Sequence, residues 1–124
     1  MEKRIIITQP ADIRSAVTGI LTDARSRMIL SVEKEFDIKL SLNELLSNSV
    51  KYSGSLQTVL EYCIREESFC CRITDNGRGF RAEEVGCADL CGESGRGVHL
   101  VRSVTEELTY NEAGNSVFFR ILLN

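Results

Sequence analysis

Glu44, Asn48 and Lys51 recur at helical spacing in Glu44-Leu-Leu-Ser-Asn48-Ser-Val-Lys51-Tyr52, and each side chain has its own chemical use. At about 100° per residue the three fall within about 60° of one another on one helix face. The carboxylate can take a proton from water or an incoming hydroxyl. An Asn carbonyl is a hard oxygen ligand of the kind Mg²⁺ accepts while it bridges phosphates. The ammonium can meet phosphate oxygens. Taken alone, the stripe reads equally well as a solvated face with an ordinary Glu–Lys pair. Two glycine turns follow it. Asp75-Asn-Gly77-Arg-Gly79-Phe80 comes after a strand ending in Ile73-Thr74, and Ser94-Gly95-Arg96-Gly97-Val98-His99-Leu100 leads into a helix. Asp75 can accept a hydrogen bond from an adenine amino group while Gly77 and Gly79 let the backbone lie flat against the base. The plain alternative is a hairpin turn with two residues free to take positive φ. In the second turn, the N–H groups of Gly95, Arg96 and Gly97 at a helix start make an anion site, although many helix starts offer as much.

In that order, with Asp75 27 residues after Asn48, the three clusters resemble the N, G1 and G2 boxes of the GHKL ATP-binding superfamily. That superfamily includes gyrase, the ninety-kilodalton heat-shock chaperone, histidine kinases, MutL and the anti-sigma-factor serine kinases. The resemblance implies ATP and Mg²⁺ as ligands. It assigns Glu44 as general base or nucleophile orienter, Asn48 as the Mg²⁺ ligand, and Asp75 as the reader of adenine with Gly77 and Gly79 beside the base. Lys51, Gly95, Arg96, Gly97 and Val98 fall at its nucleotide-binding positions. In Gly114-Asn115-Ser116, Ser116 stands where the family has a Gly-Thr pair whose hydroxyl reaches adenine through water. Residues 81–94 match the ATP lid, and His99 is expected to be structural.

The resemblance covers nearly the whole chain. It leaves no segment for a phosphoacceptor-histidine dimerisation helix or a transducer domain, and so is most like the anti-sigma-factor serine kinases. Those bind a sigma factor and phosphorylate a serine on a small antagonist protein, which implies both partners here. Two other readings stay open: a non-catalytic, nucleotide-gated partner-binding module, and a histidine-kinase catalytic domain acting in trans, which Lys51-Tyr52-Ser53 favours.

These groups need elements to position them, and 124 residues suffice for one domain over 1–124. A formal net charge of -3 argues against a nucleic-acid binder. There is no transmembrane run and no signal-peptide segment, so a cytoplasmic location is expected. Five cysteines are an odd count; a disulfide framework is not expected, and Cys87 and Cys91 alone do not make a metal site. Cys70 and Cys71 point to opposite faces of one strand. The patterning predicts a strand over 4–8, a helix from Pro10 to about Met28, and a second from Ser31 to Lys51 or Tyr52. A hairpin of strands 56–65 and 69–74 turns at Glu66-Glu67-Ser68. A helix over 97–107 and a last hairpin of 109–111 and 116–123 complete the chain. Helices segregated from a mixed, largely antiparallel sheet make a two-layer α+β sandwich, and the Bergerat fold of the resembled family has the same element order. Ile5, Ile7, Ile13, Val17 and Ile20 either exceed what one small sheet covers or are buried within the monomer; the anti-sigma kinases pair through this region, so the resemblance implies a homodimer.

Overall fold

Ile13, Ala16, Val17, Ile20, Leu21 and Ala24 recur every three or four positions, and they are the buried stripe of helix α1 (Ala11–Arg27). A computed structural model describes residues 2–53, 57–75 and 93–124, with side chains at all of these except 51–53 and 93–96. Pro10 precedes α1 with φ -55°, ready-set for a helix start where a missing N–H costs nothing. One carboxylate oxygen of Asp12 accepts from the Thr8 N–H and hydroxyl, both at 3.0 Å, and from the Gln9 N–H at 3.3 Å. These bonds, the Thr8 N–H first, hold the Asp12 carboxyl below its ordinary range. Helix α2 (Val32–Ser53) starts on Ser31, whose hydroxyl accepts the Lys34 N–H at 3.1 Å, and Glu33 and Glu35 complement its dipole.

The strands are β1 (Lys3–Ile7), β2 (Thr58–Arg65), β3 (Ser68–Asp75), β4 (Glu107–Tyr110) and β5 (Ser116–Leu122), with helix α3 (Glu93–Val104) before β4. Their order is β1-β2-β3-β5-β4, and each of these pairings is antiparallel. Alternation sends Leu60 and Tyr62, Phe69, Cys71 and Ile73, and Val117, Phe119 and Ile121 to one face. There they pack with Ile38, Leu42, Leu45 and Leu46 of α2, the α1 stripe and Val101 of α3 in a single core. Tyr62, Phe69 and Phe119 run across it with ring centroids 5.7 and 5.9 Å apart. The result is the α+β two-layer arrangement that the patterning predicts. No described helix is long and apolar enough to cross a membrane.

Three details differ from the sequence expectation. The β2–β3 turn is Glu66-Glu67 alone, with φ of 48° and 63°, and Arg65 pairs with Ser68 to close it. Two-residue turns of this kind usually announce themselves with Asn-Gly or Asp-Gly, and two glutamates give no such signal. Helix α3 starts at Glu93 rather than 97 because glycines in its first turns hide the helical period; it stops at Val104, before Glu107 pairs with Arg120 in the sheet. The third concerns the apolar surplus. Ile7, Ile13, Val17 and Ile20 are all buried within one chain and Ile5 is half-buried, so most of this apolar surface is covered within the monomer. The expectation of a homodimer then rests on the resemblance. The exposed large apolar side chains are others: Ile6, Ile29, Val32, Phe36 and Leu100.

A polar bond ties α1 to the sheet. The Tyr62 hydroxyl donates to Asp23 of α1 at 2.7 Å, and this bond is the main reason the Asp23 carboxyl sits below its ordinary value. Hydrogen bonds to charged groups contribute ~1.5–3 kcal/mol, less for a carboxylate that keeps some water, so Tyr62→Phe should cost about 1 kcal/mol at neutral pH. A depressed carboxyl pKa gives stability that is full above the unfolded value of 3.8 and lost as pH falls through the lower folded value. Urea unfolding should therefore show the gap between wild type and Tyr62→Phe closing only below that unfolded value.

Candidate functional site

Period-two alternation along β3 makes Asp75 the fourth inward residue after Phe69, Cys71 and Ile73, at the end of the strand beside the C-terminal half of α2. Its side chain is buried at 6% exposure. The Ser49 hydroxyl of α2 donates to the Asp75 carboxylate at 3.1 Å and lies 3.3 Å from the Thr58 hydroxyl. The Asp75 N–H donates to the Asn115 carbonyl at 2.9 Å, which fixes the strand end against the β4–β5 turn. That turn depends on Gly114 at φ 76°, in the left-handed region that glycine tolerates best.

These contacts surround a small recess open to solvent. Leu45, Asn48 and Ser49 wall it from α2, Ile73 and Asp75 from β3, and Tyr110 with residues 114–117 from the last hairpin. Burial pushes the Tyr110 phenol well up, so its ring stays a neutral wall at physiological pH. The Ser116 hydroxyl pairs with that of Thr74 at 2.9 Å on the neighbouring strand.

Asn48 is not on a solvated face, as its helical position beside Glu44 suggested. It is 6% exposed, and its amide nitrogen has no hydrogen-bond partner among the described residues. Leaving a buried amide group unpaired costs ~1–3 kcal/mol. A half-turn of the amide exchanges nitrogen and oxygen, so the site can offer either end to a ligand. Glu44 stands one turn away, about 6 Å along the axis, and is half-buried. Helix α3 packs across this side of α2, which is why the polar stripe is covered. Gly97 permits the approach: a Cβ built there would run into the Glu44 carboxylate, 2.9 Å from its Cδ.

The G2 segment therefore differs from a turn that precedes a helix. Gly95 and Arg96 lie in the first turn of α3, and the N–H groups that a helix start leaves unbonded fall on residues 93–96. Gly97 is one step further in and makes room for Glu44. Val98 is buried at 4% exposure, so only its backbone is available to a ligand. His99 is exposed. The structure thus brings Asn48 and Asp75 to one recess and Glu44 to Gly97 beside it; Ser116 lines the recess, but its hydroxyl is paired with Thr74, whose side chain alternates to the opposite face from Asp75. Gly77 and Gly79 lie outside the described residues, as do the side chains of Lys51 and Arg96. Sequence reasoning missed Ser49, Leu45, Tyr110 and Asn115. For Ser49 a signal existed, since Ser41, Asn48 and Ser49 put polar groups on a helix flank that is buried at every one of them.

The histidine kinase-like ATPase domain family matches this chain over residues 7–121. The chain belongs to that family. Serine-protein kinase RsbW of Listeria monocytogenes serotype 4a is 27% identical over 141 aligned positions, covering all of this chain and 90% of the relative. The protein of the same name from Listeria innocua serovar 6a has the same identity and coverage. The family match spans every residue placed in the recess above, so the recess belongs to the histidine kinase-like ATPase domain itself.

An unpaired buried amide in such a domain gives a separable prediction. Asn48→Ala removes the unmet N–H and a little packing together, so the free protein should unfold within about 1 kcal/mol of wild type. The stabilisation of wild type by ATP with Mg²⁺ should vanish in the variant. Thermal melts with and without ATP and Mg²⁺ read both effects.

Proposed function

We propose that this chain is an ATP- and Mg²⁺-dependent protein kinase of the anti-sigma type, which binds a sigma factor and phosphorylates a serine on an antagonist protein. The observation that carries the reading is the buried Asn48 amide, whose nitrogen finds no partner among the described residues, in the same recess as the Asp75 carboxylate. Buried polar groups are normally hydrogen-bonded, so an amide nitrogen left over at the wall of the recess is consistent with a ligand bound there. The family match and the serine-protein kinase name of the relatives point the same way.

In this reading the recess takes the adenine ring. Asp75 accepts its amino group, with the carboxylate held in place by the Ser49 hydroxyl, and Leu45, Ile73 and Tyr110 exclude water from the ring. Asn48 offers its amide oxygen to Mg²⁺. A Mg²⁺ ion held by Asn48 would supply charge neutralisation for the transferring phosphoryl group. The N–H groups of the first turn of α3 favour the same negative charge. Glu44, one turn from Asn48, takes the proton of the serine hydroxyl as the hydroxyl attacks.

The test is to incubate the chain with γ-labelled ATP, Mg²⁺ and the antagonist protein. Label recovered on the antagonist as phosphoserine is the expected result. Nucleotide-dependent binding of the antagonist without label would replace the kinase by a nucleotide-gated module. Label on histidine would replace it by a histidine-kinase catalytic domain.

A further inference from the structure

Cys63 of β2 and Cys70 of β3 are direct partners in the β2–β3 ladder. The Glu66-Glu67 turn makes Arg65 and Ser68 the closing hydrogen-bonded pair, and strict alternation gives Cys63 and Cys70 the same kind of position two steps on. Cα atoms in such a pair lie about 5.5 Å apart, inside the ~4.4–6.8 Å that a disulfide spans. Both side chains are half-buried on the face away from the helices, and both are free thiols in hydrogen-bond contact with each other. Cys71 points the other way, fully buried in the core. The row continues across the sheet to Arg120, the β5 partner of Cys70, and to Glu107, which pairs with Arg120 at 3.8 Å. Burial, then the Cys63 sulfur, push the Cys70 thiol up, while the Arg120 guanidinium pulls against them. Nothing in the nucleotide reading uses this pair, which lies on the opposite side of the sheet from Ile73 and Val117.

We propose that Cys63 and Cys70 are a dithiol site that closes reversibly to an intrachain disulfide by exchange with a low-molecular-weight disulfide. The Cys63 thiolate attacks one sulfur of the small disulfide, whose S–S bond breaks as a mixed disulfide forms. The departing thiolate takes up a proton. Cys70 then gives its proton to solvent and attacks the Cys63 sulfur, and the second small thiolate leaves and is protonated in turn. Two protein thiols are oxidised, and one small disulfide is reduced to two thiols. In a hydrogen-bonded pair the opposed Cβ atoms lie toward the wide end of about 4.5–5.5 Å, roughly 1 Å beyond the ~3.5–4.5 Å of a relaxed disulfide, so closure draws the two strands together locally. The bridge therefore forms under some strain and reopens readily with a reducing thiol.

The experiment equilibrates the whole chain with oxidised glutathione, then blocks free thiols and maps tryptic peptides by mass. The expected result is the peptide containing Cys63 linked to the peptide containing Cys70 and Cys71, with no glutathione retained there and full reversal by reduced glutathione. Cys70→Ser, a substitution on the outer face of the sheet, should lose the link and hold one glutathione on Cys63. A link that persists in Cys70→Ser assigns the partner to Cys71 and overturns the proposal. So does a wild type that stops at glutathione adducts, or one that forms its only bridge between Cys87 and Cys91.

Discussion

Gly97→Ala should abolish most phosphoryl transfer while leaving the protein at least as stable as wild type. The new methyl group would occupy the space of the Glu44 carboxylate. That carboxylate is the far end of a flexible side chain, so it moves aside rather than forcing the helices apart. Alanine inside a helix is favoured over glycine by about 0.5–1 kcal/mol, which offsets the cost of moving Glu44. A displaced general base forfeits its share of catalysis, typically ~10²–10⁴-fold. Glu44→Gln keeps the shape and removes the basicity, and should lose a similar factor with ATP affinity intact. Phosphotransfer rates and urea unfolding of both variants read this directly. If Gly97→Ala is as active as wild type, the position of Glu44 against α3 has no part in the chemistry.

Asp75→Asn should weaken ATP by roughly 10- to 150-fold and leave inorganic triphosphate unchanged. The carboxylate already accepts the Ser49 hydroxyl at 3.1 Å. An amide there keeps its oxygen for Ser49 and turns an NH₂ toward the recess, where a second NH₂, that of adenine, would meet it. Loss of a hydrogen bond to a charged group costs ~1.5–3 kcal/mol, which sets that range. Triphosphate makes no base contact, so it has nothing to lose. Calorimetry with both ligands checks the difference, and equal weakening of both would remove the adenine-reading role.

Where the sequence was readable, the reason was periodicity. Asp75 points inward because Phe69, Cys71 and Ile73 do, and the period-two rule extends from them without knowledge of the fold. Likewise the apolar stripes of α1 and α2 fixed which faces meet the sheet. Asn48 and Gly97 were not readable in the same way. A helical wheel places Asn48 opposite Leu42 and Leu46, and hence in solvent, until α3 is known to cover that flank. Gly97 reads as one glycine of a phosphate turn because local sequence carries no trace of the Glu44 carboxylate packed against it. The Glu66-Glu67 turn hid for a third reason: its positive φ values are set by the pairing of β2 with β3, against the preference of both residues. Long-range packing decided each of these, and one-dimensional patterns do not encode it.

A crystal structure of the chain with a non-hydrolysable ATP analogue and Mg²⁺ tests the nucleotide site most directly. The predicted result has the adenine amino group within hydrogen-bond distance of the Asp75 carboxylate and the metal on the amide oxygen of Asn48. A nucleotide bound elsewhere, or one whose base leaves the recess empty and whose metal leaves Asn48 unpaired, would contradict the account.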